Sequence, residues 1–335
     1  MITLLTVLLA FSASVILTWR FIGWLKSRNL VAVENDRTMH QGAVPQGGGI
    51  PVVAATMGTT LLLWPLTGAE LAVLIPALAL AVLSAWNDRR EIAAPVRLAA
   101  HAAAAFAALQ LIPWNEPILT THLPTLIDRA LVALALVWFI NLYNFMDGID
   151  GITGVETISL AAGVLIVTHF ASPQTNLNGL ALSLMGASAG FLVWNWHKAR
   201  IFLGDVGSIP LGLMTGMLLV KLAADVSLWP AVILPLYYVT DATVTLLRRV
   251  LRGEKAWQPH REHAYQRSAR ALGSHDGIVL RIAACNAALI VCAVLALQVP
   301  VAGVALAVAA VFILMRNLES IAGKAEIQNP TRAAS

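Results

Sequence analysis

The chain has 335 residues, 58% of them hydrophobic and only 12% charged, with 22 Lys and Arg against 18 Asp and Glu for a formal net charge of +4. Mean hydropathy is +0.75, far from the balance of a soluble domain. This composition excludes a soluble globular protein, gives no ground for a nucleic-acid partner, and describes one polytopic membrane domain.

Crossing a hydrocarbon core takes about 20 mostly apolar residues per helix. Such runs fall near residues 2–24, 47–66, 70–86, 97–113, 126–143, 155–171, 178–195, 207–224, 228–247, 277–298 and 300–316. They predict an all-α polytopic protein of about eleven transmembrane helices, ten if the last two, divided only at Val299-Pro300, are one. Residues 1–316 form a single transmembrane catalytic domain in this reading, and 317–335 a short tail. The first run, MITLLTVLLAFSASVILT, has no basic segment before it and is followed by Arg20, Lys26 and Arg28. That predicts an uncleaved first span rather than a signal peptide. Cys285 and Cys292 lie seven apart in an apolar run, so they share a helix face and read as buried small hydrophobes.

The loops carry the polar chemistry. DRTMHQGAVPQGGGI (36–50) holds Asp36, His40 and a Pro45-led glycine run, which either admits a phosphate or ring to the backbone or is a flexible lead-in turn. WNDRREI places Asp88 beside Asn87 and two arginines, where a simple exposed ion pair is the plainer reading. In NFMDGIDG (144–151), Asn144, Asp147 and Asp150 recur every third residue and would share a face if helical. Clustered oxygens suit Mg²⁺, which binds through one or two carboxylates and completes its shell with water and phosphates; a helix cap and turn at a membrane boundary explain the same residues. WNWHKAR follows with Asn195, His197, Lys198 and Arg200. IFLGDVGS (201–208) sets Asp205 between glycines at a helix start, fit for a metal facing a phosphate or for an ordinary cap. The longest loop, RRVLRGEKAWQPHREHAYQR (248–267), has the cation density for a polyanion or for anionic lipid heads. Its His260 and His263 lack the further ligands of a zinc site.

Lys and Arg collect on the cytoplasmic side of span ends. With eleven spans, 20 of the 22 fall on one side and only Arg129 and Lys221 on the other, which puts the N-terminus outside and these loops in the cytoplasm. A transporter concentrates ionisable groups within its spans. Here the spans read as holding few beyond Arg20, Arg281 and Arg316, which favours an enzyme at the inner leaflet over a lipid or sugar carrier.

From about residue 36 to 267, five motifs in this order resemble the polyprenyl-phosphate N-acetylhexosamine-1-phosphate transferases. The resemblance implies that a polyprenyl phosphate oxygen attacks the β-phosphorus of a UDP-N-acetylhexosamine, that UMP leaves, and that Mg²⁺, or Mn²⁺ in its place, is held by Asp205 and Asn144. It further implies that Asp147 supports the metal and diphosphate, that Asp150, Asn195 and Phe202 line the uridine pocket, and that His260, Arg261 and His263 contact the diphosphate. PHREHAYQ, in place of three consecutive histidines, resembles the bacterial branch that initiates O-antigen or related polysaccharides on undecaprenyl phosphate at the inner membrane, in a family that often forms homodimers. Members commonly carry two adjacent aspartates where this chain has Asn87-Asp88, and the first is often taken as the base. Either Asp88 serves, or no base is needed because a phosphate monoester with a second pKa near 6 is already mostly dianionic, or the chain is a catalytically silent scaffold of a polysaccharide assembly complex.

Overall fold

The computed structural model describes residues 1–28, 44–65, 68–88, 90, 92–110, 112–113, 117–171, 177–255 and 260–328. Asp36 and His40 lie outside them. The helices in chain order are α1 (Ile2–Ser27), α2 (Gly49–Leu63), α3 (Gly68–Asn87), α4 (Ala94–Leu109), α5 (Thr125–Phe145), α6 (Ile152–Ala171), α7 (Asn178–Asn195), α8 (Asp205–Asp225), α9 (Leu228–Ile233), α10 (Leu236–Leu251), α11 (Ala264–Leu272), α12 (Asp276–Leu295) and α13 (Pro300–Gln328). Among the described residues no strand occurs, and seven helices are long and apolar enough to cross a membrane: α1, α3, α5, α6, α8, α12 and α13. The protein is an all-α polytopic membrane protein. Lipid cannot satisfy free backbone groups, so helices, which bond internally, are what such a sequence forms.

Every predicted run is helical, with two differences at the C-terminal end. The run at 228–247 is two helices, α9 and α10, broken at Leu234-Pro235. Pro235 lacks the N–H a continuous helix would use. The last helix does not stop near residue 316 but runs to Gln328, and Ser268 Oγ on α11 lies 2.7 Å from Leu318 O. Half a dozen residues of the anticipated tail are thus part of the packed fold, with Leu318 and Ala322 buried.

Helix packing relies on small residues, as it does where lipid gives no hydrophobic drive between helices. A Cβ on Gly186 or Gly190 of α7 would come within 2.4 Å of Val7 O or Phe11 O on α1. Central α8 presents Gly212 to Ile140 and Tyr143 of α5, and Gly216 to Leu136 one turn further on. The outward faces of α1 and α13 expose Leu4, Leu8, Phe312 and Ile313, side chains suited to acyl chains. Cys285 and Cys292 are buried and unpaired with each other.

The C-terminal ends of α3, α5, α7 and α10 meet the N-terminal ends of α2, α6, α8, α11 and α12 at one end of the bundle, joined by the loop contacts described below. Arg129 and Lys221 lie at the other end. Arg129 donates to Pro113 O beside Asp128, which accepts from the Ile118 and Leu119 amides, and Lys221 pairs with Asp225 at 2.5 Å.

Four acids within predicted spans are buried rather than absent: Glu70 and Asp128 near span ends, and, further inside, Glu156 of α6, which accepts from Asn286 Nδ2 on α12 at 2.7 Å, and Asp241 of α10. These four correct the expectation of nearly charge-free spans. Asp128, Glu156 and Asp241 each accept hydrogen bonds from polar groups of neighbouring segments, as buried acids must.

Candidate active site

The start of α8 is the fixed point. Gly204 takes φ +75°, a left-handed turn that L side chains rarely adopt, and releases the chain into a helix whose first residue is Asp205. The segment Pro45–Gly49 lies alongside. Phe202 N donates to Pro45 O, the Gly47 and Gly48 amides donate to Phe202 O, and the Gly49 amide donates to Leu203 O, at 2.8–3.1 Å. The glycine run is therefore neither a free phosphate cradle nor a flexible turn: its amides are committed to bracing the GDVGS segment. A Cβ on Gly49 would lie 2.2 Å from Gly207 Cα, so the two main chains touch directly.

Asn144, at the end of α5, donates through Nδ2 to Asp205 Oδ1 and to Ser208 Oγ, both at 2.8 Å. Arg97 of α4 brings Nη1 to 3.6 Å from Asp205 Oδ2. Asp147 Oδ1 accepts from Thr153 Oγ1 at 2.6 Å. Burial, and secondarily the Asp205 charge, push the Asp147 carboxyl up to about 7. Asp88, in the turn after α3, is exposed as a residue, yet loss of water around its carboxyl and then Asp205's charge raise it to about 6. Three carboxylates and an amide thus converge, with Asp205 raising the other two acids. Half a turn of the Asn144 amide sets its Oδ1 beside Asp205 Oδ1. An all-oxygen donor set that repels itself fits a hard divalent cation. Asn87, at the position where a second acid was expected, uses Oδ1 to accept from Ile92 N at 2.9 Å and so closes this turn.

A second network faces inward. Asp150, whose side chain is fully enclosed, holds His197 Nδ1 at 3.0 Å, Ala199 N at 3.1 Å and His275 Nδ1 at 3.3 Å, all through Oδ2. Asn195 accepts from Gly151 N at 2.9 Å and donates to Ile201 O at 2.8 Å. The two residues assigned by resemblance to the uridine pocket therefore clasp the α5–α6 and α7–α8 loops together. Phe202 is half-buried.

The basic loop is anchored by a residue that motif reading did not single out. Asp241 accepts from Ala264 N (3.0 Å), Tyr265 N (3.4 Å), Tyr237 Oη (3.1 Å) and Thr245 Oγ1 (3.2 Å), and lies 3.5 Å from His263 Nδ1. It caps α11 from another helix, holding the first amides as a local N-cap would. His263 is 2% exposed and stacked on Tyr265, so of the two histidines expected at a diphosphate only half-buried His260 is open. Burial, with His263 and Arg249 nearby, lowers His260 to about 4. Its imidazole is neutral at physiological pH, and because Glu262 N donates to Nδ1, its proton sits on Nε2. Arg249 and Arg252 pair with Glu254 and Glu262, so much of the loop's charge is balanced internally. Arg261 remains partly exposed, with its carbonyl accepting from Arg270.

The loop reaches the acid cluster through Tyr265, whose hydroxyl donates to Phe145 O at 3.2 Å. At that contact a Cβ on Gly148 would lie 2.4 Å from both Tyr265 Oη and Gln266 Nε2. Gly148→Ala is expected to lose about 1–3 kcal/mol of stability through this overpacking, read as a lowered unfolding temperature in detergent. Unfolding identical to wild type would mean that the two side chains retreat without cost.

Asp241 and Glu156 carried one signal in the sequence, an acid inside an apolar run. Arg97 and His275 carried none, since each gains its meaning only from a residue distant in the chain.

The Glycosyl transferase family 4 pattern matches residues 71–223, a stretch that includes Asp88, Arg97, Asn144, Asp147 and Asp205. The chain is 26% identical over 260 residues to a probable undecaprenyl-phosphate N-acetylglucosaminyl 1-phosphate transferase of Bacillus subtilis, covering 74% of this chain and 72% of that protein. It is 26% identical over 303 residues to a decaprenyl-phosphate N-acetylglucosaminephosphotransferase of Mycobacterium tuberculosis, covering 75% and 72%. A phospho-N-acetylmuramoyl-pentapeptide-transferase of Chlamydia muridarum is 35% identical over 130 residues, 34% of this chain and 39% of that one. The chain thus carries a Glycosyl transferase family 4 domain at its centre, and its relatives along most of its length are polyprenyl-phosphate hexosamine-1-phosphate transferases.

Proposed function

We propose that this enzyme transfers N-acetylhexosamine 1-phosphate from a UDP-sugar to undecaprenyl phosphate, releasing UMP, as the first membrane step of O-antigen or a related surface polysaccharide at the cytoplasmic face of a bacterial inner membrane. The observation that carries the reading is the convergence of Asp88, Asn144, Asp147 and Asp205 at one end of a membrane-spanning bundle. A lipid-borne phosphate and a soluble nucleotide sugar can meet there.

Asp205 and Asn144 would hold Mg²⁺ or Mn²⁺, which supplies charge neutralisation for a transferring phosphoryl group. The chain's own residues supply the rest. Arg97, beside Asp205, and Arg261, on the basic loop, offer guanidinium forks to diphosphate oxygens. His260 offers a neutral N–H donor, and Phe202 a face for the uracil ring. Asp88, with a pKa near 6, is matched to take a proton from a phosphate of similar pKa close to neutrality.

The test is UMP release by purified protein given undecaprenyl phosphate, Mg²⁺ and a panel of UDP-N-acetylhexosamines. One UDP-sugar is expected to be turned over, with activity falling to background under a chelator and returning on addition of Mg²⁺ alone. No UMP from any member of the panel overturns the reading.

A further inference from the structure

We infer that Asp150, His197 and His275 form a second metal site, one for a borderline transition ion of the Zn²⁺ class, separate from the all-oxygen cluster at Asp205. Asp150 Oδ2 stands 3.0 Å from His197 Nδ1 and 3.3 Å from His275 Nδ1, and the three donor atoms all lie within 4.8 Å of one another. A tetrahedral ion with bonds of about 2.0–2.1 Å requires donors roughly 3.3 Å apart. The two imidazole rings are 4.8 Å apart at 52°, an arrangement in which both can point a nitrogen at one centre.

The donor type selects the ion. Two imidazoles and one carboxylate suit Zn²⁺ and its neighbours, whereas Mg²⁺ takes oxygens. The backbone N–H of Asp150 donates to His275 Nδ1 at 3.2 Å, so this nitrogen bears a lone pair rather than a proton, as a ligand must. On metal binding that lone pair turns from the amide to the ion. His197 is 21% exposed at its side chain, which leaves a fourth position open toward water. The three residues come from the α5–α6 loop, the α7–α8 loop and the N-cap of α12. An ion here would fasten α12 to the NFMDGIDG loop and offset the charge of a carboxylate with no exposure of its own.

The competing account is a proton-only network, an Asp carboxylate flanked by two histidines. Tag-free purified protein, dialysed against micromolar free Zn²⁺ and analysed for metal, separates the two. Retention of one Zn²⁺ per chain, together with the ligand-field bands of four-coordinate Co²⁺ after exchange, is expected. His275→Gln and His197→Ala are each expected to weaken Zn²⁺ binding on the order of 100-fold or more while melting as folded protein. A wild-type chain that retains no Zn²⁺ overturns the site, as does wild-type affinity in both variants. Should the variants fail to fold, the Co²⁺ spectrum of the wild type decides, since the weak octahedral spectrum of the hydrated ion excludes the four-coordinate site inferred. No substrate enters the measurement, so a failed transferase assay and a failed metal site are told apart.

Discussion

Asp205→Asn is expected to reduce UMP release by on the order of 10³-fold while leaving the protein folded. The substitution keeps the shape of the side chain at the start of α8, so the backbone brace from Pro45–Gly49 is untouched. What it removes is the negative charge that faces Asn144 on one oxygen and Arg97 on the other. With that charge gone, the residues best placed for a divalent cation lose their strongest donor, and Arg97 loses the partner that orients it. The loss belongs chiefly in kcat, because charge that develops on the transferring phosphoryl group is stabilised more strongly than the ground state. The measurement is kcat and KM at saturating Mg²⁺ beside an unfolding curve. A variant within about tenfold of wild type would remove Asp205 from the metal and leave the cluster without a centre.

Asp241→Ala is expected to be the most destabilising single change near the site, by about 3–5 kcal/mol. Four donors converge on this carboxylate: the Ala264 and Tyr265 amides, Tyr237 Oη and Thr245 Oγ1. Removing it leaves buried groups without acceptors and frees the start of α11, which carries His263 and, through Tyr265, the contact to Phe145. Asp241→Asn should fall between the two, since it keeps one acceptor oxygen. Unfolding in detergent, with limited proteolysis of the 260–272 segment, reads both effects. Wild-type stability and protection in Asp241→Ala would show that α11 is held by packing alone.

The helices were legible in the sequence because membrane burial writes itself as long apolar runs, and each run became helix. The break at Leu234-Pro235 needed only the rule that proline lacks a donor, but the apolar run around it hid the rule's consequence. The extension of α13 past residue 316 was hidden by its polar sequence, because its partner there is α11 and not lipid. Within the site, Asn144 and Asp205 stood out through the resemblance their motifs carry, since caps and turns at span ends explain such residues equally well. Spacing does not tell which way a side chain faces, and so the burial of Asp150, Asn195 and His263, all three turned inward, was not legible. Asp241 went unread for the opposite reason. Its partners lie 23 and 24 residues away on another helix, and nothing in TDATVT announces them.

The meeting of Gly49 with Gly207 bears on precision. Where helices touch through side chains, every rotamer hop and every extra methylene is a source of positional variance for whatever they carry. Here α2 and the first turn of α8 are in registry main chain to main chain, so the placement of Asp205 depends on no side-chain torsion but its own. A group that must sit within about half an ångström of its working position is thereby insulated from the softening of the surrounding bilayer as temperature or lipid composition changes.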